Sequence, residues 1–457
     1  MLFTSINFIL FFITYIFFVT IFKKNWKLVT IFFSIFFYSY WSIYFSLLLV
    51  FTAYQTWFFA SIIQKSKNYR KIYLIISLII SLSILFIFKY FNFFINEIFG
   101  IDLKNSIFLK IILPIGISFY TFQCISYIVD IYKNKISCAT LVNFLVFILF
   151  FPHLIAGPLV RASSFIPQVE KGIYFNWGNI RIGTLYIFWG YFLKLCISNN
   201  LGIYVNTVFS HLNESNTPTL IVASIFNSFL IYSDFSGYSL IAIGISRLIG
   251  LKIPANFVTP FFSINLTDFW RRWHISLSKF LKDYLYIPLG GNKNGLLNTI
   301  RNILIVMFIG GLWHGASINF IIWGMLHAFF LIIEKINNDF LRIDIKIIFL
   351  KKLYVFLLIT IFFIPFSVLS FKDFLIYIDI FAFKEFFNYS QVIEKFYVIR
   401  NFLFIFILLL VETFIDKRNF IKLKNNSLLY GLLLTMLIAV IFSIGNFDEK
   451  SFIYFQF

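Results

Sequence analysis

Five histidines, His153, His211, His274, His314 and His327, are the side chains of this sequence best suited to exchange a proton near neutral pH. Two of them, His314 and His327, lie in an uncharged run over residues 302–333, where an ionisable group is costly unless paired or put to use. His314 sits in Gly310-Gly311-Leu312-Trp313-His314-Gly315-Ala316-Ser317. Gly311 and Gly315 at that spacing suit a close helix seam, with His314 hydrogen-bonded across it. The same glycines also suit the close approach of backbone and substrate to an imidazole in a water-poor passage, where it takes and returns a proton as a general base. His327 lies about 220° further round an ideal helix, so it shares no face with His314 unless the glycines break that helix. His274 stands among basic residues at a membrane border, either meeting a soluble substrate or merely exposed or stacked on a tryptophan.

Other polar residues fall on a helical stripe. Tyr120, Gln123, Tyr127 and Asp130 lie within about 80° of one another at helical spacing, a seam facing a bundle interior and serving mostly as interhelical glue. Asp234, in Tyr232-Ser233-Asp234-Phe235-Ser236-Gly237-Tyr238, is enclosed by uncharged runs. It needs a partner, either Tyr238 one turn on or a basic residue elsewhere.

The elements that position these residues have to be membrane helices. Of the 457 residues 60% are hydrophobic and only 12% charged, too few charges to cover a soluble body of this size. Disorder is excluded by the apolar content, and three cysteines, Cys124, Cys138 and Cys196, make no disulfide framework. The net charge of +19 sits between apolar runs, the pattern of cytoplasmic loops and anionic headgroups rather than of nucleic-acid binding. Uncharged runs cover residues 1–22, 28–64, 72–88, 136–160, 195–213, 215–233, 302–333, 353–371 and 425–447. With 107–130, 180–194 and 401–412 added, about 10 to 13 membrane segments are expected, each near the 20 residues that span the hydrocarbon. The 28–64 run is long enough for a helical hairpin turning near Tyr40 to Ser42, and residues 1–22 read as a first span rather than a signal peptide. The fold class is an all-α polytopic membrane protein, since the runs are far longer than barrel strands.

Residues 251–301 break the pattern, with seven lysines and arginines against Asp268 and Asp283, and the positive-inside rule puts them in the cytoplasm. There Phe269, Trp273, Leu277, Phe280 and Tyr284 share an arc of about 80°, with Arg271, Arg272, Lys279 and Lys282 opposite, which predicts an amphipathic helix at the membrane surface. No phosphate-binding glycine loop, serine elbow or zinc spacing occurs, and no metal site is expected.

In order along the chain stand Ser118-Phe119-Tyr120-Thr121-Phe122-Gln123, Phe151-Pro152-His153-Leu154-Ile155-Ala156-Gly157-Pro158, Asp234-Phe235-Ser236-Gly237-Tyr238, Asp268-Phe269-Trp270-Arg271-Arg272-Trp273-His274-Ile275-Ser276 with Tyr286-Ile287-Pro288-Leu289-Gly290-Gly291, and Gly311-Leu312-Trp313-His314-Gly315. With these motifs over about half its length, and an ending over 452–457 of the same kind, the sequence resembles the membrane-bound O-acyltransferase family, in its bacterial branch of alginate O-acetylation and peptidoglycan O-acetyltransferase proteins. The resemblance implies a helical bundle with a central tunnel, a catalytic core over 107–334, and outer helices over 1–106 and 335–457. It implies His314 as the catalytic histidine and His274 as the second motif histidine. Trp313 would wall the tunnel, and Trp273 and Asp234 would line it. An oxyanion would be met by His274, Gln123 or Tyr120, between which the sequence does not choose. Arg271, Arg272, Lys279 and Lys282 would hold the phosphates of acetyl-CoA, or else Arg271 and Arg272 hold headgroups or Asp268 and Asp283.

The implied activity takes acetyl from acetyl-CoA, a substrate rather than a tightly bound cofactor, across a bacterial inner membrane. A periplasmic SGNH-type O-acetyltransferase partner would pass it to an envelope polysaccharide. A composition typical of an AT-rich genome favours peptidoglycan over alginate. The rivals are a lipid or sugar transporter, which predicts repeated halves not found here, and a non-catalytic scaffold in which His314 only packs.

Overall fold

Lipid offers a backbone no hydrogen-bond partner, so a chain this apolar must close its own N–H to C=O bonds along each segment. The computed structural model describes residues 1–100, 112–154, 157–342, 345–368, 370–383, 395–414 and 426–448, and among these it is helical with no strand. Local signals set several helix starts. The side chains of Ser5, Thr140 and Ser317 accept backbone N–H bonds at the first turns of Ile6–Ile21, Leu141–Leu149 and Ile318–Ile336.

Among the described residues, eight helices are long and apolar enough to cross a membrane, or nine if Ile6–Ile21 and Lys23–Ser39, bent by 107°, form one span. The count of uncharged runs is higher, for reasons visible along the chain. The 136–160 run divides into Leu141–Leu149 and the short Phe151–Leu154 around Pro152. The 180–194 and 195–213 segments join into one helix, Trp177–Ser210. Lys194 separates them in sequence, yet its charge is neutralised within the fold and the helix runs on through wider π-type turns at Phe192–Ser198. The hairpin does form, from Trp26–Ser39 and Ile43–Lys65. Residues 107–111, Ile155, Ala156 and the 452–457 ending lie outside the described residues.

The chain forms two compact units. In the first, Met1–Ile187 with Ser239–Pro254, polar glue replaces apolar contrast between helices: Gln55 donates to Ser81 Oγ at 2.8 Å and accepts from Ser77 Oγ at 3.1 Å. In the second, Phe188–Tyr238 with Ala255–Phe457, glycines permit the tightest crossings. A Cβ on Gly311 would strike the Phe320 carbonyl, and one on Gly324 the Met307 carbonyl, so Gly295–His314 and Ile318–Ile336 form a hairpin whose backbones touch.

Candidate active site

The segment carrying His274 starts as an ordinary helix, Leu266–Arg272, capped by Asn265, whose Oδ1 accepts the Asp268 N–H at 2.7 Å. It does not continue as the amphipathic helix expected over 269–284. Trp273 is extended, His274 takes a left-handed conformation with φ 41° and ψ 51°, and a second helix, Ile275–Leu281, begins after it. A left-handed non-glycine residue costs roughly 1–2 kcal/mol. Here it is held by tertiary bonds: the Asn256 carbonyl accepts the Ile275 N–H at 2.9 Å, and Val258 N–H donates to the Arg272 carbonyl at 3.0 Å. The two-sidedness survives the break. Phe269, Trp273, Leu277 and Phe280 are buried while Arg271, Lys279 and Lys282 are exposed.

The break drives His274 inward, to 0% exposure, rather than leaving it at a surface. Its Nδ1 is 3.1 Å from Asn256 Oδ1, and its Nε2 has no hydrogen-bond partner among the described residues. Phe235 meets the ring edge-on at 4.7 Å and Trp313 lies 5.6 Å away. Burial pushes the imidazole down to about 3, so it is neutral at pH 7.

His314 ends its helix. Gly315 is extended and the next helix begins at Ile318, so the glycine-rich run does break the helix. The His314 ring, 2% exposed, lies 6.2 Å from the His274 ring and is boxed by Trp313 at 5.0 Å, Trp323 at 4.8 Å and Phe366 at 5.4 Å. The reversal also brings His327 to the far side of Trp323, at 4.7 Å from that indole and 5.0 Å from Trp270. Two buried imidazoles thus stand side by side within an aromatic enclosure, their planes inclined at 60°, and a third stands one tryptophan away. Trp323 Nε1 is buried with no partner among the described residues, a donor that sequence reasoning missed. Only the reversal after His314 returns Trp323 to that ring. Asn256 was missed for the same reason, lying eighteen residues before the histidine it bonds.

The remaining expected residues fall in several places. Trp273 is packed on Phe269 at 5.4 Å and Phe363 at 5.2 Å. Arg272 is committed to Asp268, its Nε 3.0 Å from both carboxylate oxygens, which matches the pairing reading for this arginine. Asp234 is buried against Lys194, which is the basic residue elsewhere of the two alternatives, and the same ammonium lies 5.5 Å from the Tyr238 ring. Tyr120 and Gln123 belong to the first unit, where both are buried in the helix Ile117–Tyr132. Asp130 of the same stripe pairs with Lys135 at 3.8 Å.

Chemically, two buried imidazoles in an aromatic enclosure can accept and return a proton, and indole N–H groups can meet developing negative charge. Residues 6–346 match the family described as MBOAT, membrane-bound O-acyltransferase family. The chain is 37% identical over 344 residues to a peptidoglycan O-acetyltransferase of Helicobacter pylori, covering 69% of this chain and 65% of that relative. It is 40% identical over 268 residues to a probable alginate O-acetylase of Pseudomonas syringae pv. tomato, covering 58% and 51%. A teichoic acid D-alanyltransferase of Streptococcus thermophilus is 32% identical over 246 residues, covering 50% and 57%. The chain spans 51 to 65% of the length of these relatives.

Proposed function

The chain belongs to the membrane-bound O-acyltransferase family, and on that premise we propose that it moves an acetyl group from acetyl-CoA to a hydroxyl. His314 is the general base in this reading. Its ring takes the proton of the attacking hydroxyl as the new C–O bond forms at the thioester carbonyl, and returns it to the sulfur as the C–S bond breaks. His274 is the second proton-accepting ring beside it. Trp323 Nε1–H is the donor offered to the oxyanion. Arg271, Lys279 and Lys282 meet the donor's phosphates at the cytoplasmic face, with Arg272 held back by Asp268.

The acceptor proposed is the serine of a periplasmic SGNH-type partner, which passes the acetyl group to peptidoglycan. The larger shared coverage with the peptidoglycan relative than with the alginate relative supports that choice. The membrane is then the bacterial inner membrane, with no tightly bound cofactor. The observation that carries the chemistry is the pair of buried imidazoles 6.2 Å apart in an aromatic box.

The test is transfer of labelled acetyl from acetyl-CoA to the serine of the SGNH-type partner, with the purified chain and that partner together in membrane vesicles. His314→Ala should lower the rate by about 10²–10⁴-fold, the range of a lost general base. A folded variant with undiminished transfer refutes the assignment.

A further inference from the structure

We infer that Asn256 is the positioning residue of this site: its side-chain carbonyl holds His274 as the Nδ1–H tautomer and leaves Nε2 as the ring's one basic nitrogen. The identity of the facing atom follows from its other partners. The same Asn256 oxygen accepts the Ser276 backbone N–H at 3.3 Å and the Ser276 hydroxyl at 2.9 Å. A backbone N–H can only donate, so the atom it meets is the amide oxygen rather than the amide nitrogen. That oxygen lies 3.1 Å from His274 Nδ1, which therefore carries the hydrogen. Nε2 is left with a lone pair, buried, and with no protein partner among the described residues.

The backbone repeats the same grip. Asn256 is 1% exposed, and its own carbonyl accepts the Ile275 N–H at 2.9 Å, directly after the left-handed His274. One asparagine thus sets both the turn that aims the ring and the proton that the ring carries. The consequence is an exclusion as well as an assignment. With Nδ1–H committed to Asn256, neutral His274 cannot donate to an oxyanion from Nε2; it receives a proton or a hydrogen bond there. The catalytic meaning rests on the acyl-transfer reading, but the tautomer does not.

The test uses the full chain, ¹⁵N-labelled at histidine, in lipid nanodiscs at pH 7.5, with the His274 resonances assigned by their loss in His274→Gln. Nδ1 should resonate as a protonated nitrogen and Nε2 as a bare one, and the preference should disappear in Asn256→Leu. Acetyl transfer from acetyl-CoA to the serine of the SGNH-type partner, added to the nanodiscs, is read alongside. Asn256→Leu should lower kcat about 10²–10⁴-fold with KM for acetyl-CoA within about threefold, whereas Asn256→Asp, which keeps an acceptor oxygen, should stay within about tenfold of the natural chain. A natural chain with His274 protonated at Nε2, or a folded Asn256→Leu with unchanged kcat, overturns the inference. If the tautomer is as stated but the natural chain transfers no acetyl, the positioning stands and the acyl-transfer reading falls.

Discussion

An imidazole sealed among aromatic rings keeps its lone pair by giving up its charge. His274 shows this directly, its protonation pushed down to about 3 by burial. The sign of the effect on stability follows. The unfolded ring, with its ordinary value of 6.5, takes up a proton that the folded ring refuses. The stability this residue contributes is therefore complete above pH 6.5 and is lost as the pH falls toward 3, at about 1.4 kcal/mol for each pH unit. Unfolding of the detergent-solubilised chain between pH 7.5 and 4.5 should show a steeper acid decline than that of His274→Gln. Parallel curves would mean that the folded ring carries a charge. Activity, by the same logic, should not lose His274 as a proton acceptor until well below neutral pH.

Helices in this molecule are held by a few close or charged contacts, because apolar surface against lipid and apolar surface against a neighbouring helix differ little in free energy. The ion pair of Lys194 and Asp234 is one such contact, supplemented by Ser198 Oγ donating to the same carboxylate oxygen at 3.3 Å. Gly237 lets the two segments meet, since a Cβ there would lie 2.9 Å from the Gly190 carbonyl and 3.2 Å from Lys194 N. Removing one buried charge strands the other. Asp234→Asn should therefore destabilise the chain by about 3–5 kcal/mol, and Lys194→Met combined with Asp234→Leu should recover most of that loss. Additive losses in the double variant would show that the two side chains do not act as a pair.

At the scale of the whole molecule, the positive-inside rule predicts a cytoplasmic side for the basic 251–301 segment, which is the side where the proposed coenzyme A donor would arrive. Lys293, exposed in the turn before Gly295–His314, reports on this side. In a Cys138→Ser background, where Cys124 and Cys196 are buried, Lys293→Cys should react with a membrane-impermeant maleimide in inverted vesicles and not in intact spheroplasts. The opposite pattern would reverse the predicted orientation and with it the proposed direction of acetyl movement.

Helical class, most apolar segments, the hairpin near Tyr40, the need of Asp234 for company and the types of the chemical residues were all written locally, because hydropathy and helical period act over neighbouring residues. What tertiary structure decided came from contacts between distant residues. Asn256 sets a left-handed turn at His274 that a uniform helical period carries straight through. Lys194, forty residues before Asp234, supplies the partner that spacing along one helix could not name. The reversal between Gly315 and Ile318 places Trp323 against His314 and His327 beyond it, where an unbroken helix would have held the two imidazoles on different faces. Backbone direction at a turn is fixed by whichever hydrogen bonds and close packings the assembled fold makes available, and the linear pattern of apolar and polar residues does not contain them.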